Sequence, residues 1–95
     1  MNREERNRYE YYFKLFTIEA IRNARIAKGW TQSQLAEAVD VSHEFIRSLE
    51  SVKGKNSFSA FTLWRISKAL QVSLDDLLNF SMNDLGTWVK KTMQD

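Results

Sequence analysis

Ninety-five residues, 43% of them apolar, suffice for one domain built on one compact core. Cysteine is absent and histidine occurs once, so disulfides are excluded and a metal site with the usual ligands is not expected. A formal net charge of +2 is too small to identify a nucleic-acid partner by itself.

There is no Pro, only three Gly, and no long alternating run that asks for a strand, so the expected class is all-α. Residues 1–8 are charged where a signal peptide needs an apolar stretch, and nothing approaches membrane-spanning length. The expectation is a cytoplasmic protein without a membrane partner.

Taken in order, Tyr9, Tyr12, Phe13 and Phe16 share one helical face, which Tyr11 and Leu15 widen. That spacing predicts an N-terminal helix with a broad buried surface. Arg3, Arg6, Arg8 and Lys14 among the rings leave base stacking on single strands as an alternative, although stacking needs exposed rings. Thr17 or a neighbour is then the expected cap of a helix running to Lys28, with Ile18, Ile21, Ala24 and Ile26 or Ala27 inward and Gly29 as its stop. No breaker separates the two segments, so residues 4–28 form either one helix or two.

Residues 32–50 carry the pattern around which the rest is arranged. Leu35, Ala36 and Val39 form one apolar stripe, and Phe45, Ile46 and Leu49 form another. Only Asp40 and Val41 lie between these helices before Ser42, which is placed to cap the second. A crossing that abrupt requires a small residue at the contact, and Ala36 supplies it.

Residues 51–57 read as a polar loop bending at Gly54, with Phe58 anchoring it to the core. Ser59 caps a helix through Leu70, with Leu63, Ile66, Ala69 and Leu70 inward, Arg65 and Lys68 outward, and Phe61 and Trp64 widening the apolar face. Part of that excess surface is open to a partner, with side-by-side packing against the extra terminal helices as the alternative. Ser73 with Asp76 makes a capping-box-like start for a helix carrying Leu74, Leu77, Leu78 and Phe80. Residues 84–93 offer a last helix with Leu85, Trp88, Val89 and Met93 on one face, weakened by Gly86 and closed by Lys90 and Lys91.

The two-helix segment resembles the helix-turn-helix of the phage Cro and repressor family, the xenobiotic-response-element type of bacterial regulator. The resemblance rests on Gln32 opening the motif, Ala36 at the crossing, Val41 after the turn, and Ile46 and Leu49 on the buried face. Arg25, Lys28, Gly29, Trp30 and Thr31 match the end of the family's first helix; Leu63, Ala69, Leu70, Val72, Ser73 and Leu77 match its last two. Asp40 departs from the usual Gly of the turn, at a position where Asp tolerates left-handed backbone better than most residues.

The resemblance implies a compact five-helix repressor-like DNA-binding domain over residues 17–80, with additional helices over 1–16 and 81–95. It also implies that Arg25 pairs with Glu50, tying the first helix to the recognition helix, and that Gln32 bonds a backbone phosphate with Thr31 assisting. The exposed residues Ser42, His43, Glu44, Arg47 and Ser48 are the expected DNA-reading face. Arg47 is suited to guanine and Glu44 to the cytosine amino group, although their i, i+3 spacing also allows a plain surface ion pair. Lys53, Lys55 and Asn56 are placed to follow the DNA backbone beside that helix, the alternative being a solvated loop.

The expected function is sequence-specific reading of double-stranded DNA by a homodimeric transcriptional regulator, most often a repressor in this family, on a palindromic operator. The C-terminal helix, alone or with the N-terminal one, is the expected dimer contact, with intramolecular packing as the alternative. No cofactor is implied. Ser42 beside His43 in sequence does not make a nucleophile and base, and no phosphate-binding glycine loop occurs, so an enzyme is not expected. The competing class is a protein-interaction module, such as an antitoxin-like partner-binding protein, that keeps the fold without reading DNA.

Overall fold

With no Pro, and no Gly before Gly29, nothing interrupts helix formation at the start of the chain. In the computed structural model, which describes residues 1–51, 58–78 and 86–87, helix α1 runs through Arg3–Ala27. Of the two arrangements open from sequence, the chain adopts one continuous helix. Asn2 caps it, its Oδ1 accepting from the Glu5 amide at 2.8 Å, and Glu4 and Glu5 sit at the positive end of the helix dipole. Thr17 is not a cap. Buried in mid-helix, its hydroxyl donates to the Phe13 carbonyl at 2.8 Å, an outlet open to Thr wherever a helix surrounds it.

Gly29 stops α1 as expected. Its amide donates to the Ile26 carbonyl at 2.9 Å, the Trp30 amide reaches the Arg25 carbonyl at 3.1 Å, and its φ is +78°. The same bond pattern closes two later helices, where Asp40 (φ 62°) and Gln71 (φ 59°) take the left-handed position.

Beyond Gly29 come α2 (Gln32–Val39), α3 (His43–Glu50), α4 (Ala60–Leu70) and the single turn α5 (Leu74–Leu77). Each starts on a hydroxyl. Thr31, Ser42, Ser59 and Ser73 accept from the amide three residues on, and Thr31 and Ser73 complete reciprocal capping boxes with Gln34 and Asp76. No strand occurs among the described residues, and the class is all-α. Of the expected C-terminal helix only Gly86 and Thr87 are described, both helical; Leu85, Trp88, Val89 and Met93 lie outside the described residues, as does Phe80.

Every helix contributes to one core. Ile21 from α1, Leu35, Ala36 and Val39 from α2, Ile46 and Leu49 from α3, Leu63, Ile66 and Leu70 from α4 and Leu77 from α5 form it. Each large side chain there contributes about 1.5–3 kcal/mol by leaving water. Phe58 packs against this cluster, as expected, together with Trp30, Phe45, Val72 and Leu78.

The first half of α1 departs from expectation. Tyr11 and Phe13 are exposed, and the buried residues of the helix are Thr17, Ile18 and Ile21. The reason is length: 25 residues rise about 37 Å, whereas an eight-residue partner spans about 12 Å, so Tyr11 and Phe13 stand beyond the core while Tyr9, Tyr12 and Phe16 are half-buried. Tyr11 and Tyr12 instead meet edge to face at 5.2 Å, and Tyr9 lies so close to Gly86 that a Cβ there would come within 3.2 Å of its hydroxyl. Ile26, in the last turn, is exposed rather than inward.

Candidate nucleic-acid interface

The turn between α2 and α3 is fixed from both sides. Asp40 adopts the left-handed conformation (φ 62°, ψ 51°), the Val41 amide donates to the Ala36 carbonyl at 3.0 Å, and Ser42 Oγ accepts from the Phe45 amide at 3.0 Å. Ala36 is 3% exposed at the point where the helices cross, so a larger side chain has no room there.

Arg65 adds a third restraint that sequence reasoning missed. Expected to point outward, it turns back so that its Nη2 donates to the Val39 carbonyl and lies 3.5 Å from the Asp40 carbonyl. A cation at the end of α2 satisfies carbonyls that have no partner within the helix. Its guanidinium also covers the Phe61 ring at 5.6 Å.

α3 has two contrasting faces. Ile46, Leu49 and Glu50 are buried, whereas Ser42, His43, Glu44 and Arg47 are exposed and Ser48 is half-buried. Positions 43, 44, 47 and 48 fall on one side of the helix, so these expected reading residues form one surface near its N-terminal end. Arg47 Nη2 donates to Glu44 Oε1, making in the free chain the surface ion pair that their spacing allows. Both side chains are mostly in water, so the pair adds well under about 1 kcal/mol and breaks at little cost.

Glu50 holds α3 in place. Its side chain is 2% exposed, and Arg25 grips it with two bonds, Nε to Oε2 and Nη2 to Oε1, both at 2.8 Å. Arg25 Nη1 also donates to the Trp30 carbonyl at 2.8 Å, tying the stop of α1 into the same cluster. The pairing implied by the family resemblance is therefore present.

Gln32 joins it, donating from Nε2 to Glu50 Oε1 at 3.2 Å. The side chain expected at a phosphate thus has an internal anchor at the start of α2. No local pattern links residues 32 and 50; the available cue was stoichiometric, because a buried carboxylate accepts more bonds than one arginine supplies. Thr31 is spent on its capping box, with Gln34 Oε1 accepting from its amide at 2.8 Å and its own hydroxyl accepting from Gln34 at 3.1 Å. Lys53, Lys55 and Asn56 lie outside the described residues.

Two short helices crossing on Ala36, the second with a polar exposed face, define a helix-turn-helix domain. The helix-turn-helix family model matches residues 21–77, more than half of the chain, and the chain belongs to that family, of the Cro and phage-repressor type, a DNA-binding class. A search of curated proteins finds no match. Among solved structures, the crystal structure of hypothetical transcription factor NHTF from Neisseria is similar with a TM-score of 0.65 and 19% identity, over 76% of this chain and 79% of that one. At that identity the likeness is one of fold. Among the described residues, no helix is long and apolar enough to cross a membrane.

Proposed function

We propose that this chain is a sequence-specific transcriptional regulator that reads double-stranded DNA through the exposed face of α3, acting as a homodimeric repressor on a palindromic operator in the cytoplasm. The observation that carries the reading is the pairing of an exposed polar face on α3 with a buried Arg25–Glu50–Gln32 cluster beneath it. That cluster orients the helix before DNA arrives, so binding has less ordering to offset.

In this reading Arg47 leaves Glu44 to donate two bonds to a guanine, and Glu44 accepts from a cytosine amino group. His43 and Ser48 contact neighbouring base edges. Ser42 stands with these reading residues, and Thr31 and Gln32, with Lys53, Lys55 and Asn56, contact the DNA backbone and set register rather than sequence. A two-fold dimer places two copies of α3 about 34 Å apart, one turn of the duplex.

The acidity of the motif is the main support for a protein-binding module that does not read DNA, since Glu37, Asp40, Glu44 and Glu50 face only Arg47. The geometry weakens that reading. Glu50 is internally neutralised by Arg25, and Glu37 and Asp40 lie outside α3, so the reading face presents chiefly the Glu44–Arg47 pair.

Glu44→Ala and Arg47→Ala test the assignment by moving in opposite directions. Losing Glu44 removes a repulsive carboxylate, so affinity for arbitrary duplexes rises while preference among duplexes relaxes. Losing Arg47 weakens the preferred site about 5- to 150-fold, the equivalent of about 1–3 kcal/mol. Fluorescence anisotropy with folding checked by circular dichroism reads both, and two folded variants that bind every duplex like the wild type would exclude α3 as the reader.

A further inference from the structure

One face of α1 is open among the described residues, with Glu19, Arg22, Asn23 and Ile26 exposed and Leu15 half-buried. Leu15, Ile18, Glu19, Arg22, Asn23 and Ile26 line an open groove of about 410 Å³ that ends against Glu50. Ile18, 7% exposed, lies at the buried edge of this face, beside the core residue Ile21 one turn on, whereas Ile26 is 55% exposed. Glu19 and Arg22 are spaced for an i, i+3 pair, as Glu44 and Arg47 are, but neither makes an ion pair or hydrogen bond with a described residue.

We propose that this α1 face is where a second copy of the chain docks, with the two α1 helices antiparallel about a two-fold axis passing between residues 20 and 21. This inference rests on the dimer reading above and supplies its interface. The stripe is complementary to itself under that operation. Glu19 of each copy meets Arg22 of the other and Leu15 meets Ile26, so both opposite-charge pairs and both apolar pairs form together.

A partner of uniform charge would satisfy one of Glu19 and Arg22 and repel the other; a second copy satisfies both. The groove ends at Glu50 in the last turn of α3, so the exposed residues at the opposite end of that helix stay clear of the contact. The stripe spans about 16 Å of helix, less than a standard interface of about 800 Å² per partner requires. The dimer is therefore concentration-dependent rather than obligate.

Charge reversal tests this on the full chain by sedimentation equilibrium over a wide concentration range. Arg22→Glu places like charges opposite each other and weakens self-association roughly tenfold or more, and Glu19→Arg does the same. An equimolar mixture of the two variants associates again, because every contact then joins opposite charges, and the double variant Glu19→Arg/Arg22→Glu recovers as a homodimer. Both positions are exposed, so circular dichroism is expected to be unchanged.

A wild type monomeric at all concentrations overturns the inference, as does a dimer indifferent to either reversal. A dimer weakened by both reversals but not restored in the mixture also overturns the antiparallel pairing. If the variants dimerise like the wild type and still bind a palindrome, this interface fails while the DNA reading survives; loss of DNA reading with the charge pattern intact gives the converse.

Discussion

At Glu50 the chain buries a carboxylate and surrounds it with donors from two other segments, Arg25 from α1 and Gln32 from the start of α2. Removing the acid leaves the Arg25 guanidinium, 11% exposed, without its counter-charge. Glu50→Ala is expected to cost about 3–5 kcal/mol in urea denaturation, because an unpaired buried charge is worse than no charge at all. A loss below about 1 kcal/mol would show that water reaches the site and replaces the carboxylate. Arg25 and Glu50 were legible in the sequence through their family positions; the Gln32 bond was not, since it joins residues far apart with no shared periodicity. The left-handed helix stops divide in the same way. Gly29 and Asp40 are residue types that signal such a turn, whereas Gln71 carries no signal and is held there by Val72 and the packing beyond it.

The elements follow their sequence cues where the cue is local. Thr31, Ser42, Ser59 and Ser73 all cap helices as their positions ahead of apolar-periodic runs imply, because a hydroxyl there satisfies an amide that has no other partner. Thr17 misled for the same chemical reason: inside a helix its hydroxyl has a carbonyl to donate to and no end to cap. Burial along α1 was less legible, since periodicity identifies a face but not how far the neighbouring helices reach along it. Arg65 shows how tertiary contact redirects a side chain that the helical pattern places outward. Arg65→Met keeps an unbranched apolar stem but deletes the guanidinium, and with it both the donor to α2 and the cation over Phe61. The expected loss is about 0.3–2 kcal/mol in stability, with weaker duplex binding because the α2–α3 turn loosens. Equal stability and equal binding would mean that water serves those carbonyls as well as the guanidinium does.

For the molecule as a whole, a single core draws on all five described helices and leaves the polar face of α3 outside it. The fold class and the two-helix motif were legible because they depend on short-range patterns: the apolar stripes, Ala36 between them and a hydroxyl at each start. The proposed pairing of two α1 helices was not, because it depends on a pattern that closes only under a symmetry operation. The central claim, that α3 reads sequence on both halves of a palindrome, is tested most directly by selecting bound duplexes from a randomised pool at two salt concentrations, with the wild type and Arg47→Ala in parallel. The account predicts a palindrome recovered by the wild type at both concentrations and degenerate at symmetric positions in the variant. Binding that is independent of sequence and lost as salt rises, or identical motifs from both proteins, would contradict it.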